Sequence, residues 1–125
     1  MKTKRVLLCD DDKDVLDSLQ ELLTELGWEA ICLESAVNII SKIEAVNPTV
    51  IIMDNWLPVE GGVSAIKKIK EHPEFNKIPV ILISGSDHIS SLASYAGADM
   101  FLQKPILKEN LSKSLEEATE MISSG

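Results

Sequence analysis

Five times along this chain, a short apolar run gives way to a stretch where apolar residues recur at intervals of three and four. A continuous apolar run suits a strand buried on both faces, and the three-and-four spacing suits a helix that buries one face. Arg5 to Cys9 is the first run; from Lys13, the residues Val15, Leu16, Leu19, Leu22, Leu23 and Leu26 mark a helix. Asp12 stands where a cap is needed, and Gly27 where a helix ends. Trp28 to Leu33 predicts a second strand. Ser35 is placed to cap a helix through Ala36, Val37, Ile39, Ile40, Ile43 and Val46, which Asn47-Pro48 closes. Thr49 to Met53 is the third run, and it leads straight into Asp54. Pro58 and the turn Glu60-Gly61-Gly62 separate it from a helix marked by Val63, Ala65, Ile66 and Ile69, closed by His72-Pro73. Ile78 to Ile83 ends at Ser84-Gly85-Ser86, and a short, weak helix covers Ile89 to Tyr95. Met100 to Leu102 precedes Gln103-Lys104-Pro105. The last helix carries Leu107, Leu111, Leu115, Ala118 and Ile122, and Ser123-Ser124-Gly125 reads as a frayed end or the start of a linker.

Alternation at this spacing implies parallel strands joined by right-handed crossovers, with helices on both faces. The predicted fold is α/β: a doubly wound, five-stranded parallel sheet of order 2-1-3-4-5, a flavodoxin-like (βα)5 arrangement. A chain of 125 residues is expected to form one domain, over 1–125. Its apolar fraction of 45% is enough for a packed core. The net charge of −8 and pI near 4.7 weigh against direct contact with nucleic acid or with an anionic membrane surface. No apolar run approaches transmembrane length, and the basic start Met1–Arg5 leads into too few apolar residues for a signal-peptide core. A cytoplasmic protein is therefore expected. Cys9 and Cys32 have no CxxC spacing and are expected as buried free thiols. His72 and His88 are expected at the surface, and Trp28 in packing.

In an open parallel sheet, the crevice beyond the strand C-termini is where ligands bind. Parallel topology brings Asp10, Asp11, Asp54, Ser84 and Lys104 to that one edge. The switch point falls between the first and third strands, which carry the aspartates. Two carboxylates roughly 5 Å apart repel by about 3 kcal/mol at an effective dielectric of 20. Such a site needs raised pKa values or a bound cation. An all-oxygen ligand set favours a hard ion such as Mg2+.

Val6-Leu7-Leu8-Cys9-Asp10-Asp11, Asp54 followed by Pro58 and Gly62, Ser84-Gly85, and Lys104-Pro105 together resemble the receiver domain of two-component response regulators, of the chemotaxis-regulator kind. The resemblance spans nearly the whole chain. It implies that Asp54 is the phosphoacceptor, taking a phosphoryl group from a histidine kinase or phosphotransfer protein in a Mg2+-dependent reaction. It implies Asp11 as a direct metal ligand, Asp10 acting mainly through water, and the Trp56 backbone carbonyl as a further ligand. Lys104 and Ser84 would contact phosphoryl oxygens. Ser84 and Phe101 would form the switch, read out by an output domain or partner on the surface of the fourth helix, fifth strand and fifth helix. Such a domain assists its own phosphorylation and dephosphorylation and is not otherwise an enzyme.

Three departures stand out. Glu60-Gly61 replaces the Met-Asp or Met-Asn usual before the glycine. Trp56 is bulky beside the acceptor and is expected to screen it from water. The segment from Ser84 to Gly97 is short, so the fourth helix is expected to be short or mobile. Other classes fit less well. A haloacid-dehalogenase-type phosphohydrolase needs an Asp two residues after the nucleophile, where Trp56 stands. A flavodoxin-like cofactor binder needs a phosphate loop where Asp10-Asp11-Asp12 would repel phosphate. The Asp11, Asp54, Ser84 and Lys104 set argues against a degenerate docking module.

Overall fold

The computed structural model describes residues 4–124, with Ser124 described by its backbone alone. Ten elements alternate: β1 (Arg5–Cys9), α1 (Lys13–Glu25), β2 (Glu29–Leu33), α2 (Ile39–Val46), β3 (Val50–Asp54), α3 (Gly62–Glu71), β4 (Val80–Ser84), α4 (Ile89–Ala96), β5 (Met100–Gln103) and α5 (Lys108–Ser124). All strand pairings are parallel, and the sheet order is β2-β1-β3-β4-β5, as the alternation requires. The middle strands β3 and β4 are buried at every position. The outer strands β2 and β5 are only partly covered.

Side chains alternate across the sheet, so each strand feeds two cores. Leu7, Cys9, Ile51, Met53, Val80 and Leu82 pack against α2, α3 and α4. Val6, Leu8, Val50, Ile52, Ile81 and Ile83 pack against α1 and α5. The same alternation decides the cysteines. Both are free, and Cys9 lies on the first face while Cys32 lies on the second. Cys9 is buried as expected, and burial pushes its thiol up to about 12. Cys32, on an edge strand, is only half-buried. Trp28 is buried in the second core.

Helix ends follow local chemistry. The Asp12 carboxylate accepts from the Asp14 and Val15 amides, capping α1. At the other end, Gly27 (φ 87°) donates to Thr24, and Trp28 donates back to Leu23, a Schellman closure. The α2 start differs from expectation. Ser35 Oγ accepts from the Val37 amide, but this bond closes a separate turn, and Asn38 in the left-handed region delays the helix to Ile39. α5 continues through Ser123 to Ser124, where a frayed end was expected; Gly125 lies outside the described residues. Leu107, expected in that helix, precedes it and is exposed. His88 is exposed, whereas His72 is half-buried and stacks on Phe75 with ring centroids 4.7 Å apart.

The N-terminal edge of the sheet is cross-tied. Lys70 Nζ lies 2.6 Å from Asp99 Oδ2 and donates to the carbonyls of Asn76 and Ile78, while Asp99 accepts from the Val80 amide. One ammonium therefore joins the end of α3, the approach to β4 and the approach to β5.

Candidate functional site

The three consecutive aspartates after β1 do three different things. Asp10 is fully buried; its amide donates to the Leu33 carbonyl and its Oδ1 accepts from the Asp12 amide. Asp11 is exposed at the rim. Asp12 caps α1. Asp54 ends β3, buried, in register with Ile83 of β4. Because β1 and β3 are hydrogen-bonded neighbours, Asp10, Asp11 and Asp54 converge, each offering a carboxylate oxygen within 4.8 Å of the others.

Lys104 enters from beyond β5. Its amide donates to the Ser84 carbonyl, and its Nζ sits 2.8 Å from Asp10 Oδ2 and 3.0 Å from Asp54 Oδ1. The Lys104–Pro105 peptide bond is cis. Burial alone would lower the lysine's pKa, but the bonds to Asp10 and Asp54 outweigh it and hold the ammonium above its ordinary range. The Asp54 pKa is raised as well: burial pushes it up, the Lys104 bond pulls it down, and the Asp10 charge adds to the rise. Three carboxylates thus face one ammonium, a surplus of negative charge in a partly buried cleft. Hard oxygen donors at this spacing, with charge left to balance, fit a divalent ion such as Mg2+.

Ser84 is buried at the end of β4, its Oγ accepting from the Ser86 amide. Asn55, following Asp54, donates to the neighbouring Ile83 carbonyl. The sequence-predicted set of Asp10, Asp11, Asp54, Ser84 and Lys104 therefore gathers at one edge. Phe101 stands apart, 44% exposed on β5. The Trp56 ring is 78% exposed, so little of it packs against the rest of the chain. The fourth helix is short, eight residues, as its segment length indicated.

Sequence reading passed over what happens on the far side of the loop after Asp54. Gly62 packs so tightly beneath it that an added Cβ would lie 1.9 Å from the Asp54 carbonyl oxygen. Glu60 accepts from Lys68 Nζ at 2.6 Å and from the Ser64 hydroxyl, which holds its carboxyl below the usual range. The sequence signal was the i, i+4, i+8 spacing of Glu60, just ahead of α3, with Ser64 and Lys68 on it.

The family model for the response regulator receiver domain matches residues 6–116. Among curated relatives, an uncharacterised 76.5 kDa protein of Thiocystis violacea is 29% identical over 119 residues, 94% of this chain but 17% of that protein. Protein PilG of Pseudomonas aeruginosa is 29% identical over 109 residues, 86% of this chain and 81% of its own length. A CheY-like receiver domain protein of Methanospirillum hungatei superposes with a TM-score of 0.85 at 28% identity, covering 99% of this chain and all of that one. The receiver domain of the Pseudomonas aeruginosa sensor histidine kinase PA1611, solved with magnesium in its active-site cleft, superposes with a TM-score of 0.84 at 22% identity, covering 93% and 97% of the two chains. With 111 consecutive residues matched, the sheet order of that family observed and its acidic cleft assembled at the switch point, this chain belongs to the receiver domains of two-component response regulators.

Proposed function

We propose that this chain, over 1–125, is a single phosphoacceptor switch. The observation that carries the reading is the pairing of one lysine with two buried carboxylates, beside a third, at the switch point of the sheet. Asp54 would be the nucleophile. Its carboxylate oxygen attacks the phosphorus of a phosphohistidine on a histidine kinase or phosphotransfer protein. The oxygen–phosphorus bond forms as the phosphorus–nitrogen bond breaks, and the electron pair leaves with the imidazole.

Asp10, Asp11 and Asp54, with the Trp56 main-chain carbonyl, would hold Mg2+, which when bound neutralises charge on the incoming phosphoryl group. The PA1611 likeness is one of fold, so the ion is assigned here on this chain's own carboxylates. Lys104 gives up its contact with Asp54 and takes a phosphoryl oxygen, keeping a positive charge where negative charge accumulates. Ser84 supplies a hydroxyl to another phosphoryl oxygen. With the ligands held by strand ends, positioning accounts for most of the rate, and no further side chain has to exchange a proton. The domain thus assists its own phosphorylation and dephosphorylation without acting on other substrates.

The acyl phosphate adds a near-dianion at Asp54. Ser84 moving toward it shifts the loop into α4, and Phe101 on β5 adjusts to the vacated space. The α4–β5–α5 surface then binds an output domain or partner protein. The chain's net charge of −8 weighs against direct nucleic-acid contact, and none of the described helices is long and apolar enough to cross a membrane. The cytoplasm, where phosphohistidine donors and free Mg2+ meet, is the proposed location.

Incubation with acetyl phosphate and Mg2+, followed by intact-mass measurement, tests the reading. One phosphoryl adduct is expected on the natural chain and none on Asp54→Ala. An adduct that survives in Asp54→Ala would overturn the assignment.

A further inference from the structure

The loop between β3 and α3 carries an unusual conformation. The Glu60 amide donates to the Pro58 carbonyl at 2.8 Å, closing a γ-turn about Val59, whose φ is 68°. The positive-φ form of this turn is rare and strained, and a β-branched residue is among the worst to hold it. Val59 gains nothing by packing, since it is 96% exposed. Strain of this kind persists only where the surroundings over-determine the backbone.

The surroundings here are three ties. Asn55 and Gly62 close the base of the loop, the Gly62 amide donating to the Asn55 carbonyl at 3.1 Å. Leu57 is buried in the core beneath the first half. Glu60 locks the second half by accepting from Ser64 and Lys68, both on α3. The first two ties leave the Val59–Glu60 half free to relax. Among the described residues, the carboxylate of Glu60 makes the side-chain hydrogen bonds that fasten it to the helix. Between Asn55 and Leu57, on the same loop of residues 55–61, lies the Trp56 carbonyl.

We propose that Glu60 is a positioning residue for the metal site: by clamping the strained turn at Val59 onto α3, it fixes the path of the loop and so the place of the Trp56 carbonyl. This rests on the phosphoacceptor reading above. Glu60 touches neither the phosphoryl group nor the ion. It acts through the backbone, as groups behind metal ligands commonly do.

The coupling between clamp and strain makes the proposal testable beyond a general loss of structure. If the clamp only opposes the cost of the left-handed φ, glycine at 59 removes the need for it, since glycine adopts that φ freely. Four chains are compared: natural, Glu60→Ala, Val59→Gly, and the double variant. Amide hydrogen exchange over residues 55–60 is read without metal, and Mg2+ affinity by calorimetry. Glu60→Ala is expected to speed exchange in the loop and to weaken Mg2+ binding roughly tenfold. The double variant is expected to recover most of that loss. Glu60→Gln, which retains the Ser64 bond but not the charge facing Lys68, is expected to fall between, and serves if Glu60→Ala does not fold.

Unchanged exchange and unchanged Mg2+ affinity in Glu60→Ala would overturn the proposal, while phosphorylation of Asp54 in the same sample would leave the broader reading standing. A double variant no better than Glu60→Ala would overturn the link to Val59. A natural chain that takes neither Mg2+ nor a phosphoryl group would remove the reading and this inference together.

Discussion

Among the described residues, Lys104 is the one ammonium set against Asp10 and Asp54, and it does not fully offset the burial of Asp54, whose pKa stays raised. The sign of the consequence follows from linkage. Between the unfolded value of 3.8 and the higher folded one, the native state holds more protons, so stability falls as pH rises through that window and stays lower above it. Asp54→Asn removes the liability. In metal-free buffer it is expected to raise the urea midpoint at pH 7, with the gain shrinking as pH falls toward 3.8. A gain that persists undiminished at pH 3 would mean that packing, not ionisation, is responsible. Glu60 has the opposite linkage: Lys68 and Ser64 depress its pKa, so its contribution is present above the ordinary glutamate value and lost on acidification. The pairing of Lys104 was not legible in the sequence beyond its arrival at the right edge. That it would hold Asp10 and Asp54 together depends on a side-chain path no local pattern encodes.

Two glycines show how differently elements depend on the residue that permits them. Gly27 closes α1 at φ 87° with open space where a Cβ would lie. Gly62 opens α3 with the Asp54 carbonyl oxygen only 1.9 Å from that position. Gly27→Ala meets a conformational cost alone, about 1 kcal/mol. Gly62→Ala forces β3 and α3 apart and is expected to cost about 3 kcal/mol. Urea unfolding of both variants checks the ordering, and a smaller loss at Gly62 would contradict the close packing. The helix ends also mark the limits of sequence reading. The Asp12 cap and the Gly27 stop were visible because the residue types suit only those roles. The α2 start was misplaced because Ser35 makes a cap-like bond one turn early and Asn38 then bends the chain. The turn at Val59 was invisible, since valine is a residue that turn chemistry argues against.

At the level of the whole molecule, the proposed ion site would link ion binding to folding through the cleft. Mg2+ held by the native chain alone would stabilise it by about 2.7 kcal/mol at one hundred times its dissociation constant. The thermal midpoint is expected to climb with Mg2+ in the natural chain and to stay flat in Asp11→Asn, by calorimetry across a concentration series. Equal rises in both chains would place the ion elsewhere. The strand order and the gathering of the aspartates were legible because central parallel strands are apolar throughout and the topology leaves few alternatives. The surface positions of Phe101 and Trp56 were not, since edge exposure depends on what the neighbouring elements leave uncovered. The Lys70–Asp99 tie at the far edge of the sheet sets a boundary on what the cleft can do. With α3, β4 and β5 tied there, a charge placed on Asp54 under the proposed mechanism would meet least resistance along the upper rim, as a door swings on a fixed hinge, and the far pole would keep its place in either state.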